Sequence, residues 1–172
     1  MRFLTASLIL AAVSIPALQA QQAGASIDLP HGVQAVLQAK GDGVQIYTCA
    51  STPAATKWML KAPDAKLLDA SGRSIGSHFA GPTWKLNDGS QVQGELVASR
   101  PSPEAGSVAW LLLRAKDGTA TGALANVAFI RRTETHDGAA PASGCENSQD
   151  AGKSVEVHYT ATYTFYSGSA KK

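Results

Sequence analysis

The chain has 172 residues, 44% hydrophobic and 16% charged, a length suited to one domain of ordinary size. Fifteen Lys and Arg stand against 13 Asp and Glu. That balance provides no electrostatic drive toward nucleic acid or anionic membrane surfaces, so neither is expected as a partner.

The first stretch, "MRFLTASLILAAVSIPALQAQQ", is laid out like a Sec-type secretory signal. Arg2 supplies the positive end, Phe3 to Ile15 form an uncharged apolar run, and small Ala20 precedes polar Gln21 and Gln22. The run is shorter than the ~20 residues that span a bilayer as a helix. Residues 1–20 are therefore expected to form a cleavable signal helix, with Ala17 and Ala23 as alternative cleavage points. The mature chain is expected to be periplasmic or secreted, without stable membrane insertion. Residues 21–30, "QQAGASIDLP", read as a flexible lead-in, 31–168 as a single β domain and 169–172 as a C-terminal tail.

From Val33 onward, short apolar stretches alternate with Gly, Pro, Asn and Asp at roughly ten-residue intervals, the rhythm of an antiparallel β-sandwich or barrel of short strands. "VQAVLQA" and "GVQIYTC" flank "KGDG", whose glycines predict a tight hairpin. "KWMLKAP" predicts the next strand, and "AKLLDASGRSIGSHFAG" predicts two strands around the turn "DASG". "LNDGSQ" is a further hairpin signal leading into "SQVQGELVAS". The prolines of "RPSPEAG" argue against a central strand there. "SVAWLLLRAK" is apolar on both faces and predicts the most buried strand, and "LANVAFIRRTE" predicts one that begins buried and ends solvated. "THDGAAPASGCENSQDAGK" is the longest polar stretch, with His136-Asp137 read as turn chemistry.

"VEVHYTATYTFY" carries the clearest alternation. Val155, Val157, Tyr159, Ala161, Tyr163 and Phe165 fall on one face, and Glu156, His158, Thr160, Thr162, Thr164 and Tyr166 on the other. That period of two, in β-branched and aromatic residues, predicts a half-buried strand. No segment after the signal shows a comparable helical period, so the fold class is all-β.

Two cysteines, Cys49 and Cys145, remain after export. In an oxidising compartment they most simply form one disulfide, with a metal pair or a reactive thiol as alternatives. Closing a loop of almost a hundred residues would stabilise the fold by about 4–5 kcal/mol in the chain-entropy model. Neither cysteine has a CxxC partner or a neighbouring histidine, and no two histidines share metal-ligand spacing, so no metal or cofactor is expected. Metalloprotease, nucleophile-elbow, P-loop and dinucleotide fingerprints are all missing.

The chemistry-bearing residues concentrate in "GRSIGSHFAGPTWKLNDGSQVQGE", residues 72–95. Small residues around His78 and Trp84 would let a ligand approach the backbone, and tryptophan is a stacking platform for flat molecules and sugar rings. His78, Phe79, Trp84 and Asp88 are thus candidate binding residues. His78 with Asp88 or Glu95 is the candidate acid–base pair for an enzyme. Against this stands a structural role: Trp84 in the core, His78 bonded at a strand end, Asp88 in a turn. Trp58 and Trp110 lie in apolar strands and are assigned to core packing. His158 is assigned an exposed cross-strand role.

"GVQIYTC", "IGSHFAGPTW", "WLLLRA" and "YTATYTFY", in this order and spacing, resemble the bacterial domain-of-unknown-function 3455 family. The likeness runs from about Leu29 to Tyr166. Its pattern includes Cys49 and Cys145 and matches His78, Phe79, Gly81, Pro82, Trp84, Asp88 and Gly89. The resemblance implies an exported protein and marks the His78–Gly89 segment. It implies no mechanism, because the family has no established activity. The expectation that follows is a monomeric exported protein binding a small molecule or glycan near His78 and Trp84. A hydrolase or lyase with His78 as base, or an envelope structural protein, are the alternatives.

Overall fold

The computed structural model describes residues 26–52, 55–119 and 121–168. The expected signal segment 1–20 and tail 169–172 lie outside them. The fold is all-β, and of the two architectures expected it is the barrel. Eight antiparallel strands follow one another around the wall, and the last closes onto the first. They are β1 (Gln34–Ser51), β2 (Thr56–Leu68), β3 (Ser74–Phe79), β4 (Thr83–Leu86), β5 (Gln91–Arg100), β6 (Trp110–Gly118), β7 (Val127–Asp137) and β8 (Ser154–Ser167). Full closure leaves no sheet edge at the seam, where β1 pairs with β8 from Gln34↔Ser167 to Thr48↔Ser154.

The expected hairpin at "KGDG" is not there. β1 runs straight through it as one 18-residue strand. Neither Gly41 nor Gly43 has a positive φ, so neither makes a turn. They are small because the barrel leaves no room. A Cβ on Gly41 would lie 2.5 Å from the Tyr163 ring, and one on Gly43 would lie 2.2 Å from the Asp64 carbonyl oxygen. Glycine within a strand commonly marks such a close approach. β2 likewise continues through Pro63, which no β3 residue pairs with, since the β2–β3 ladder spans only Ala65–Leu68. Three strands are therefore long rather than short: 18, 13 and 14 residues for β1, β2 and β8.

The hairpins after β2 and β4 are as expected. Asp69 Oδ1 accepts from the Ser71 and Arg73 amides, and Gly72 and Gly89 take the positive φ that each turn requires. β7 extends further than its sequence suggests, so His136 and Asp137 pair with Thr160 and Tyr159 instead of forming a turn.

Inward-facing residues build one core around Trp84, Tyr159, Tyr163, Phe165 and Ile130. The β8 alternation holds from Val155 to Tyr163. Beyond that, Thr164 and Tyr166 on the outer face are buried as well. A smaller outer cluster explains how the barrel covers itself there: Ile27, from the lead-in, packs with Ala98 and Leu112 and is flanked by Trp110 and Phe129.

The remaining loop, from Gly138 to Lys153, folds over the end of the barrel where β1 and β7 finish. It contains a short 3₁₀ turn, Ser148–Asp150, capped by Asn147. Cys49 and Cys145 form the disulfide that pins this loop to β1, with Cα atoms 5.5 Å apart. The Tyr47 hydroxyl donates to the Gly138 carbonyl at 2.7 Å. Trp58 is not a core residue: half-buried at this mouth, its indole N–H donates to the Ser143 carbonyl. Trp110 is also only partly buried, at the margin of the outer cluster.

Candidate functional site

The wall is uneven. β3 and β4 have six and four residues, while β2 and β5, which flank them, have 13 and ten. The β4–β5 ladder stops at the bond from the Gly94 amide to the Pro82 carbonyl. Among the described residues, β2 before Ala65 and β5 after Gly94 thus have no strand partner on the side facing this hairpin. Above the hairpin the barrel has a gap in its side.

The gap leads to a cavity of about 240 Å³. Leu60–Pro63 of β2, Gly81 and Pro82 of the β3–β4 turn, and Leu96 of β5 line it on the gap side. Leu111 and Leu113 line it from β6. Its polar lining comes from Gln45, His78, Arg132 and Tyr163, with Trp84 beside them. Large apolar side chains also remain exposed on the elements bordering the gap: Met59, Leu60, Phe79, Leu96 and Val97.

His78 and Trp84 are directly paired across the β3–β4 ladder, so both side chains point inward from the same face. Gly81, with φ +87°, makes the short turn that permits this register. The two rings stack at 4.4 Å with planes 9° apart, and Tyr163 tilts against both at 5.0 and 5.5 Å. Gly94 makes room for the indole, since a Cβ there would lie 3.1 Å from Trp84 Cζ3.

The His78 Nδ1 is 2.9 Å from the Thr83 carbonyl oxygen, which only accepts, so Nδ1 carries the proton and Nε2 is left as an acceptor. Burial drives the His78 pKa down to about 3, and the nearby Arg132 charge adds to that, although the bond to Thr83 opposes it. His78 is thus neutral and weakly basic. The acid–base pair expected from the sequence is not assembled. Asp88 sits in the β4–β5 turn, at the other end of β4 from the His78 turn. There it accepts from the Ser90 amide and hydroxyl and from the Ala123 amide. These bonds, the Ser90 hydroxyl foremost, hold its pKa below the usual carboxylate range. Glu95 points to solvent and pairs with Arg114 at 3.0 Å. Both carboxylates were close to His78 only along the chain. Phe79, adjacent to His78, faces the other way and stays partly exposed on the rim.

Several groups that sequence reasoning did not select share the cavity with His78 and Trp84. Gln45 is 1% exposed, and neither atom of its amide has a hydrogen-bond partner among the described residues. The Trp84 indole N–H is also buried without one. Arg132, 9% exposed, donates from Nε and Nη2 to the Ala109 carbonyl and has no carboxylate within ion-pair distance among the described residues. Its charge acts on Tyr47, His78, Tyr159 and Tyr163, lowering the pKa of each, against burial in the tyrosines and together with burial in His78. Burial nevertheless keeps the tyrosines protonated, and the Tyr159 and Tyr163 hydroxyls meet at 3.1 Å. The alternation of "FIRRTE" held the signal for Arg132. With Ile130 facing in, the residue two further on must also face in, and that residue is an arginine.

Comparison with known proteins adds a family but no activity. The model of a family described as "Protein of unknown function (DUF3455)" matches residues 30–167, well over half of the chain, and the chain belongs to that family. No curated protein and no solved structure gives a significant match.

Proposed function

We propose that this member of the DUF3455 family is an exported, periplasmic or secreted, small-molecule-binding protein whose ligand enters through the gap beside the β3–β4 hairpin and lodges against His78, Trp84 and Tyr163. One observation carries the reading. The cavity combines apolar walls with polar groups that are buried and unpaired, as Gln45 and the Trp84 indole N–H are. Buried polar groups are ordinarily hydrogen-bonded, and each exception calls for an explanation. A bound molecule that supplies partners is the simplest one. Eight-stranded barrels are wide enough to hold a single small ligand. At the packing density of organic solids, the volume suits a molecule of about ten to fifteen non-hydrogen atoms. A glycan longer than one sugar would not fit inside.

Export is supported by the signal-like residues 1–20 and by a disulfide that closes a 96-residue separation, a bond favoured in oxidising compartments. Catalysis has less support, because His78 faces no carboxylate among the described residues and Arg132 further disfavours its protonation.

The test is a thermal-shift screen with small neutral, acidic and basic aromatic and aliphatic compounds, since a ligand binding only the native state raises the melting temperature. Hits should stabilise the wild type and lose their effect in Leu111→Trp, which extends an indole into the cavity. No hit in any class, or hits indifferent to Leu111→Trp, would contradict the reading.

A further inference from the structure

We propose, building on the cavity-binding reading above, that the ligand is a small organic monocarboxylate whose carboxylate lies against Arg132 and Gln45 and whose apolar body points toward the gap. The argument begins with charge. Arg132 is nine-tenths buried and shares the barrel interior with aromatic rings, yet among the described residues no acidic side chain lies within ion-pair distance of it. Removing a cation from water without a partner costs several kcal/mol, and breaking buried pairs shows the same penalty. The Ala109 carbonyl accepts from Nε and Nη2, and the Tyr163 hydroxyl is a further hydrogen-bonding neighbour, so these partners of the guanidinium are neutral.

The lining has the matching asymmetry. Among the described residues, two cations, Lys61 at the rim and Arg132 within, line the cavity, and no Asp or Glu does. The neighbouring polar groups donate without adding charge. The Gln45 amide, the Trp84 indole N–H and the tyrosine hydroxyls are all neutral donors in reach of the same interior. A planar fork of donors matches the two oxygens of a carboxylate, which is why arginine recurs where such groups are recognised. The remaining wall, Leu60, Pro63, Pro82, Leu96, Leu111 and Leu113, offers only apolar contact, so the rest of the molecule should be apolar. One internal cation fits one carboxylate; a second would lie against leucine and proline.

The experiment compares matched pairs by calorimetric titration at neutral pH: hexanoate with 1-hexanol, and benzoate with benzyl alcohol. Each acid should bind at least about ten-fold more tightly than its alcohol. In Arg132→Gln that ratio should collapse to within about three-fold. Should Arg132→Gln not fold, Gln45→Leu provides the second arm and should cut the ratio by at least about three-fold. If acid and alcohol bind equally, the carboxylate assignment is overturned while the cavity reading survives. If neither binds, both fall together. If the preference persists in Arg132→Gln but vanishes in Lys61→Ala, the anion is held at the rim and the assignment to Arg132 is wrong.

Discussion

His78 makes the most quantitative prediction of the structure, and it concerns acid stability. The native state holds this imidazole neutral, with a pKa of about 3 against 6.5 for an exposed histidine, chiefly because burial penalises the charged form. The unfolded chain therefore binds a proton below pH 6.5 that the folded chain refuses. The contribution to stability is fully present above pH 6.5 and is lost as pH falls from there toward 3. The whole window is worth about 5 kcal/mol, of which about 2 kcal/mol disappears between pH 7.5 and pH 5. Urea unfolding of the wild type and of His78→Gln at these two pH values measures it. Glutamine can still donate to the Thr83 carbonyl but does not titrate. The wild type should lose about 2 kcal/mol more than the variant over that interval. Equal losses would show that His78 is protonated or solvated in the native state and would refute the buried, neutral imidazole on which the site geometry rests.

Other perturbations probe other links. Replacing both Cys49 and Cys145 by alanine should lower stability by about 3–5 kcal/mol and the melting temperature by about 10 °C, read by calorimetry, because the bond closes a 96-residue separation. An unchanged melting temperature would contradict a structural role for the bridge. Gly41→Val should destabilise the barrel by about 3 kcal/mol or prevent folding, since a Cβ there meets the Tyr163 ring at 2.5 Å. A hairpin at "KGDG" would tolerate the change far better. Asp88→Ala should lower the melting temperature by undoing the β4–β5 turn while leaving ligand affinity as it was, because among the described residues Asp88 bonds only Ser90 and Ala123. A loss of affinity without a loss of stability would return Asp88 to the binding site.

The sequence was informative wherever one physical demand explains a residue. In β8, burial on one face alone sets the pattern, and the strand is found where the alternation places it. "DASG" and "NDG" are turns because Asp69 and Asp88 bond the local backbone and the glycines take positive φ. Reading failed where one residue type answers two demands. Gly41 and Gly43 resemble turn glycines but serve close packing inside the wall. Arg132 and Gln45 resemble solvent-facing residues but face inward, because the phase of the strand overrides the preference of the side chain. Of the cavity lining, His78 and Trp84 were the residues legible along the chain, since a cross-strand pair around a short turn is local. Their partners arrive from β1, β7 and β8, and no spacing along the chain records a meeting that only closure of the barrel brings about.

The claim that the barrel interior is the binding site can be examined one indole at a time. The chain has three tryptophans: Trp84 lines the cavity, Trp58 bonds Ser143 at the mouth, and Trp110 packs on the outer face. In ¹H–¹⁵N spectra of protein titrated with benzoate, assigned with Trp58→Phe and Trp110→Phe, the Trp84 indole signal should move saturably while the other two stay in place. Movement of Trp58 or Trp110 alone, or of none of the three, would place the ligand elsewhere or nowhere.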